Sequence, residues 1–413
     1  MINLYPHQQK ALDLTIGKKQ VAYYIDMGLG KTFIGSEKVR LIGLKTLVVC
    51  QKSKMKDWIE HFKTYYDFEV YDLTKKDNIV KFINSSISVG VINYDLIFRR
   101  VELQNLSHFT LMLDESSLIG NHKAKRTRFI TAMLPDAVVL LSGTPGKYEK
   151  LWSQCKLLNW PISKTAFDTR YINYISKDFH VGFPVKVIDK RDPYRNVDEL
   201  KEKLREHGAV FMKTEEVMDL PEQNFIDVKI TQTSEYKKFL KDKIITINDE
   251  ELVGDHTFRK YLYKRQLCSI YNQEKIDALK DLLDSTDDRV IIFYTWNKEL
   301  SIIKSLVGDR PISEVNGHTK DLTNYETYDD SITLVQYQSG AKGLNLQKAN
   351  KMIFFTPTDK SDDYQQAIKR IHRIGQKSTC FYYRLIVENS IETDIYRALE
   401  KQQDYTDYLF EED

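Results

Sequence analysis

The sequence predicts an α/β protein of two lobes, each a mainly parallel sheet with helices on both faces, separated by a largely helical insertion. Three observations lead there. First, short apolar, β-branched runs alternate with amphipathic stretches near the start, at Val21–Ile25, Thr46–Cys50, Val89–Asn93, Leu111–Leu113 and Val138–Leu141. Each run ends at a polar or glycine-containing turn, as strands do. Strands alternating with helices imply parallel pairing, because a helical crossover returns the chain to the same edge and covers the sheet. Second, the pattern comes back at Val290–Tyr294, Ile332–Val335, Lys351–Phe355 and Cys380–Leu385. Third, from about Trp160 to Asn272 the chain turns charged, aromatic and helical in pattern, as in Val197–His207 and Glu235–Lys243. The expected boundaries are 1–158, 159–272, 273–390 and a terminal helix or tail over 391–413.

Length and composition agree with this layout. A chain of 413 residues suits two domains, and 42 % hydrophobic with 29 % charged residues is the balance of a globular protein. The net charge of +2 makes no global case for nucleic acid, so any such binding needs local basic patches. Cys50, Cys155, Cys268 and Cys380 are far apart and form no CxxC pair, which points to buried thiols rather than zinc or disulfides. No apolar stretch is long enough to span a bilayer, and the first residues lack the features of a signal peptide. A cytoplasmic protein with no membrane partner is expected.

The first strand runs into Asp26-Met27-Gly28-Leu29-Gly30-Lys31-Thr32. Gly28 and Gly30 lack a Cβ, so backbone N–H groups can turn inward onto phosphate oxygens. A helix beginning near Thr32 adds its positive end. Lys31 can reach the β- and γ-phosphates, and the Thr32 hydroxyl can ligate magnesium. The longer phosphate-loop pattern has a glycine at the position of Ile25, so only the shorter form is met. By itself a glycine turn before a helix would read the same way; the motifs downstream decide.

Asp114-Glu115-Ser116-Ser117 follows Leu111–Leu113. An aspartate at the carboxyl end of a strand in a doubly wound sheet faces the ligand crevice, where Asp114 can hold magnesium directly or through water. Glu115 can then orient and deprotonate an attacking water. Val138–Leu141 leads into Ser142-Gly143-Thr144-Pro145, where Ser142 and Thr144 can sense the γ-phosphate and couple its state to a groove. Together these residues call for ATP and magnesium.

At this point the sequence resembles the Swi/Snf-type DNA translocases of helicase superfamily two, from Leu4 to about Ala398. The short Gly-x-Gly-Lys-Thr loop is a variant common in helicases. Leu4-Tyr5-Pro6-His7-Gln8 is similar to the family's adenine-reading segment, which implies that Gln8 recognises the base. Leu47 to Ser53 with Trp58 and Phe62, and Val91-Ile92-Asn93-Tyr94-Asp95, match further family motifs, and Phe211 to Val217 resembles the segment leading to lobe two. Gln338 to Leu346 resembles a Gly-rich motif at the lobe interface and implies that Gly343 contacts the nucleotide. The fullest match is Gln366-Ala367-Ile368-Lys369-Arg370-Ile371-His372-Arg373-Ile374-Gly375-Gln376. It implies two RecA-like P-loop NTPase lobes, with Arg370 and Arg373 as arginine fingers and Gln366 as a coupling residue. On one helix, Gln366, Arg370 and Arg373 would stand at i, i+4 and i+7 and share a face. Two guanidinium groups so placed can stabilise charge on a transferring phosphoryl group. His372 reads as a packing or hydrogen-bonding residue. Three departures stand out: Met212-Lys213 where relatives carry two basic residues, Ser117 where many have His, and no Asn after Pro145.

Lys52, Lys54, Lys56, Arg99, Arg100, Lys123, Lys125, Arg126, Arg128 and Lys342 lie close to motifs expected at one sheet edge. Gathered there they would track a phosphate backbone without reading bases. Each alone is as well explained as a solvated charge. Trp296 suits a partly buried packing role better than base stacking. The resemblance implies a DNA-stimulated ATPase motor that translocates on double-stranded DNA and remodels DNA branches or displaces bound proteins, with double-stranded or branched DNA as its partner. Two rivals remain open, a strand-separating DNA or RNA helicase and a DNA clamp without turnover. A monomer is expected, in a bacterial or phage-infected cell rather than a nucleus, with replication or recombination proteins as candidate partners and the pathway left open. No motif points to a chromatin-specific role.

Overall fold

A computed structural model describes residues 2–177, 185–217, 219–247, 250–337 and 344–410, without the side chains of 403–410. The chain divides after Val217 into two units, the second being Met218–Tyr405. In the first, seven strands lie parallel: β1 (Gln20–Ile25), β2 (Lys45–Cys50), β3 (Glu69–Asp72), β4 (Ser88–Asn93), β5 (Phe109–Asp114), β6 (Ala137–Ser142) and β9 (Ala209–Met212). Their order is β3-β4-β2-β5-β6-β1-β9. Every residue of β4 and β6 is buried, and β1, β2 and β5 are buried at all but one position. Burial without alternation means both faces are covered, which is why these strands read as unbroken apolar runs.

The second unit repeats the plan. β13 (Val290–Tyr294), β16 (Ile332–Gln336), β17 (Lys351–Phe354) and β18 (Cys380–Val387) form its centre. β10 (Gln223–Ile230), β14 (Ile312–Val315) and β15 (Lys320–Asp321) complete the order β10-β18-β17-β13-β16-β14-β15. Pairing is parallel except between β14 and β15. A buried ion pair braces it: Lys275 Nζ lies 2.7 Å from Glu392 Oε1, with both side chains fully buried. Glu392 also accepts from the Val387 N–H at 3.0 Å, so its second oxygen is used as well. Burial of such a pair is tolerable only when both partners are satisfied.

The two-lobed α/β plan stands, and residues 159–272 carry strands as well as helices among the described residues. They hold the helices Lys164–Tyr171, Val197–Glu206, Ser234–Asp242 and Thr257–Cys268, together with six strands. β9 closes the edge of the first sheet beside β1, and β10 pairs with β18 along all eight residues. The rest form two antiparallel hairpins, β7 (Tyr174–Lys177) with β8 (Val185–Ile188) and β11 (Ile244–Ile247) with β12 (Glu250–Val253). β10 shows why the strands escaped notice: it is an edge strand, mostly exposed and interrupted by charges, so no apolar run marks it. Cys50, Cys155, Cys268 and Cys380 are buried and unbridged. Among the described residues no helix is long and apolar enough to cross a membrane.

Candidate nucleotide site and basic rim

Because β1, β5 and β6 are adjacent and parallel, their carboxyl ends share one edge, and three motifs meet there. β1 ends at Ile25, and the helix Lys31–Ile42 begins after Gly30. Gly28 (φ 91°) and Gly30 (φ 76°) both occupy the left-handed region. Gly30 is needed twice over, since a Cβ there would also sit 2.1 Å from Gln8 Nε2. Lys31 lies over the turn, its Nζ donating to the carbonyls of Ile25 (2.6 Å) and Asp26 (3.1 Å). A lysine ammonium and a helix N-terminus beside it are the parts of a phosphate cradle.

Gln8 is buried against this loop. Its Oε1 accepts from the Tyr5 N–H at 3.0 Å, and its Nε2 donates to Leu29 O at 3.3 Å, where His7 Nε2 also lies at 3.0 Å. The carboxamide that the resemblance assigns to the base is thus fastened to the phosphate loop.

Asp114 closes β5. Its Oδ2 accepts from Trp58 Nε1 at 2.8 Å, and its backbone carbonyl accepts from the Tyr94 hydroxyl at 2.9 Å. Burial pushes the Asp114 carboxyl upward from its ordinary range, opposed by the Trp58 hydrogen bond and the charge of Lys31. One carboxylate, Asp114, and one hydroxyl, Thr32 at the start of the phosphate-loop helix, are the sparse set that suits magnesium carried largely by phosphate and water. Among the described residues no group of three or more His, Cys, Asp or Glu could hold an ion unaided.

Glu115 departs from ordinary backbone, at φ 56° and ψ 58°. A non-glycine residue held there costs about 1–3 kcal/mol, tolerated where surrounding contacts fix it. Ser142 ends β6, and its Oγ donates to the carbonyl of Thr144.

Several contacts escaped sequence reading because each joins distant residues. Trp58 stood out only by resemblance; its hold on Asp114 spans 56 positions. It lies on the helix Met55–Tyr65, which also carries His61. The Ser36 hydroxyl, one turn into the phosphate-loop helix, lies 2.9 Å from His61 Nε2, and burial pulls the imidazole down to about 4. His61 is therefore neutral near pH 7, a fixed strut. Asp26, at the mouth of the loop, accepts from both the N–H and the hydroxyl of Thr214, each at 3.2 Å. The segment expected to lead to lobe two is thus bound beside the phosphate loop. Thr214→Val should cost about 1.5–3 kcal/mol, as for a hydrogen bond to a charged group. Urea unfolding measures this, and an unchanged midpoint would remove Thr214 as the clasp.

The proposed fingers need a correction. The helix Ser361–Ile368 stops before Arg370, so Gln366, Arg370 and Arg373 do not share a helical face. What ends the helix is competition for its next groups. The Arg370 N–H turns to Ala367 O, the Arg370 carbonyl accepts from Leu346 N, and Gln376 Nε2 reaches Ile371, Gln347 and Ala349 carbonyls. The turn nevertheless brings both arginines together: Arg370 Nη1 (3.1 Å) and Arg373 Nη1 (3.3 Å) donate to Leu344 O, and Arg373 also binds Asn345 Oδ1 at 2.6 Å. Arg370 is buried and Arg373 only partly so. His372 lies 2.8 Å from Pro221 O, the hydrogen-bonding role expected of it. Trp296 packs under Arg265, whose guanidinium is 5.0 Å from the ring centre. Gly343 and Lys342 lie outside the described residues.

The basic candidates of the first unit follow the same logic of parallel strands. Lys52 begins just after β2, Arg99 follows β4, and Lys123, Lys125, Arg126 and Arg128 follow β5, all beyond the carboxyl edge of neighbouring strands. Lys52, Arg99, Lys123, Lys125 and Arg128 are exposed. Arg126 is half-buried and pairs with Asp95 at 3.3 Å, while Arg100 is tied to the Thr74 carbonyl at 2.6 Å.

Two protein families match the chain. The SNF2-related domain family matches residues 7–276, and the helicase conserved C-terminal domain family matches 274–375. The chain is 23 % identical over 436 residues to the ATP-dependent DNA helicase DDM1 of Arabidopsis thaliana, covering 89 % of this chain and 56 % of that protein. It is 22 % identical over 459 residues to the ISWI chromatin-remodeling complex ATPase ISW1 of Saccharomyces cerevisiae, covering 96 % and 40 %. The chain thus spans about half the length of these relatives, or less. A solved Sulfolobus solfataricus SWI2/SNF2 ATPase core in complex with double-stranded DNA aligns with a TM-score of 0.46 at 20 % identity, over 98 % of this chain and 92 % of that one.

Proposed function

The chain belongs to the SNF2-related family, and from that premise we propose that it is a DNA-stimulated ATPase motor that moves along double-stranded DNA. One observation carries the reading: Lys31, Asp114 and Glu115 lie at the carboxyl edge of the same parallel sheet whose neighbouring strands lead to Lys52, Arg99 and Lys125. Nucleotide chemistry and a basic rim on adjacent strand ends are what a motor needs to couple hydrolysis to a track. Lys31 and the loop N–H groups would hold the phosphates; Thr32 and Asp114 would hold magnesium, which would supply charge neutralisation for phosphoryl transfer. Glu115 orients the attacking water and takes its proton. Arg370 and Arg373 stabilise charge on the transferred group, and Ser142, Thr144 and Gln366 report its state. Lys52, Arg99, Lys123, Lys125, Arg126 and Arg128 follow the DNA backbone. The outcome of stepping is remodelling of branched DNA or displacement of bound proteins. The two relatives, one an ATP-dependent DNA helicase and the other a chromatin-remodeling complex ATPase by name, support this reading.

The test is steady-state hydrolysis without nucleic acid and with single-stranded DNA, double-stranded DNA, forked DNA and RNA, each across a range of salt. Double-stranded DNA is expected to stimulate most. Its half-saturating concentration should climb steeply with salt, since each neutralised phosphate contributes a slope of about −0.9 in log affinity against log salt. A flat salt response, or equal stimulation by RNA, would sink backbone tracking on duplex DNA. Strand displacement matching the rate of hydrolysis would instead make the protein a helicase.

A further inference from the structure

Gln154 has no part in the nucleotide chemistry described above, yet it sits where three of its elements meet. It lies on the short helix Trp152–Leu157 and is fully buried. Its Oε1 accepts from the Tyr24 hydroxyl at 3.0 Å and from the Ser116 hydroxyl at 2.8 Å. Its Nε2 donates to the Pro145 carbonyl at 2.9 Å. Tyr24 belongs to β1, just before the phosphate loop; Ser116 directly follows Glu115; Pro145 directly follows Ser142-Gly143-Thr144.

The chemistry of these three partners selects a carboxamide. Two hydroxyls need an acceptor and a carbonyl needs a donor, and an amide supplies both without charge. Leucine would leave all three buried groups unpaired, and an ionised glutamate could not donate to Pro145. A buried network satisfied at every member is rigid and fixes a single arrangement. What it fixes matters, because the residue beside Ser116 is Glu115, held in the left-handed region at φ 56°. Nothing in the local sequence favours that conformation for a glutamate; the tether on the next residue restrains it.

We propose that Gln154 is a positioning residue that sets the direction of Glu115 through Ser116 and joins it to the turn at Pro145. The proposal rests on the reading of Glu115 as the group that activates water. Gln154 acts through its neighbours and touches no reacting atom. It also gives the small Ser116 a purpose within the Asp-Glu-Ser-Ser motif.

The experiment uses the full chain with saturating duplex DNA and compares Gln154→Leu, Ser116→Ala, Tyr24→Phe and the Gln154→Leu/Ser116→Ala double variant. Maximal turnover, KM for ATP and the melting temperature are measured for each. Gln154→Leu and Ser116→Ala are each expected to lower kcat about ten- to a hundredfold, the scale of a small misplacement of a catalytic group. KM for ATP stays close to that of the unaltered chain. The double variant is no slower than Gln154→Leu alone, because both break one link. Tyr24→Phe, which cuts only the tie to β1, keeps its turnover. A filler of space would give a different pattern: lowered melting temperature, with Tyr24→Phe and Ser116→Ala alike in rate. If Gln154→Leu fails to fold, the contrast between Ser116→Ala and Tyr24→Phe decides. Unchanged kcat in Ser116→Ala, while Glu115→Gln is inactive, overturns the proposal and leaves the base assignment standing. Normal hydrolysis by Glu115→Gln overturns both.

Discussion

Glu115→Gln is expected to bind ATP and magnesium and to hydrolyse ATP at least about a hundredfold more slowly, the typical worth of a positioned general base. The expectation follows from shape. Glutamine has the length of glutamate and no greater aversion to φ 56°, so the strained backbone is unchanged. Asp114, with its Trp58 hydrogen bond, is also left in place. What disappears is the ability to accept a proton from water. Single-turnover hydrolysis paired with a fluorescent-nucleotide titration separates the two effects. Turnover within a few-fold of the unaltered chain would remove Glu115 as the base. Loss of nucleotide binding would show that it shapes the loop instead.

Arg373→Ala should cut DNA-saturated turnover by about a thousandfold or more, the range of an arginine finger in related phosphoryl transfer. DNA affinity should change little. Arg373 is the cleaner of the two arginines to alter. It is partly exposed and shares its hold on Leu344 O with Arg370, so its loss leaves that carbonyl with a partner. Arg370 is buried, and Arg370→Ala adds a stability cost of about 1.5–3 kcal/mol for the lost charged hydrogen bond. Arg373→Lys keeps the charge but lacks the planar fork, so it should recover only part of the rate. Steady-state hydrolysis and a DNA-binding titration are run together. Full turnover in both alanine variants would reduce these arginines to ties on Leu344. Lost DNA binding with intact basal hydrolysis would move this segment into the nucleic-acid groove.

What could be read from the sequence was local chemistry. The phosphate loop shows itself because only glycine accepts φ 91° and φ 76° so close to a lysine and a helix start. The central strands show themselves because burial on both faces leaves an uninterrupted apolar run, as in Val138–Leu141. Contacts across the fold left no such trace. Thr214 reaches Asp26 over 188 positions, and Gln154 reaches Tyr24 over 130. Either partner alone is an ordinary polar residue. The arginine segment shows a different failure. The spacing of Gln366, Arg370 and Arg373 fits a helix, yet Gln376 and Leu346 take the backbone groups that would have extended one. Periodicity reports which residues could share a face; it cannot report that a neighbouring segment has claimed the hydrogen bonds.

The edge strands impose an order on synthesis. β9 zips onto β1 only after the long stretch between them has been made, since Ala22 pairs with Ala209. A nascent chain therefore exposes the whole phosphate loop on the ribosome with the flank of β1 uncovered and Asp26 still lacking Thr214. The second sheet has its own wait: β10 is made well before β18 and must stay solvated until β18 arrives to pair with it. Such long-range closures are slow, and an unpaired strand is prone to stick to other chains while it waits. The two charges of β10, Asp227 and Lys229, and its mostly exposed surface suit a strand that must spend this interval alone in water.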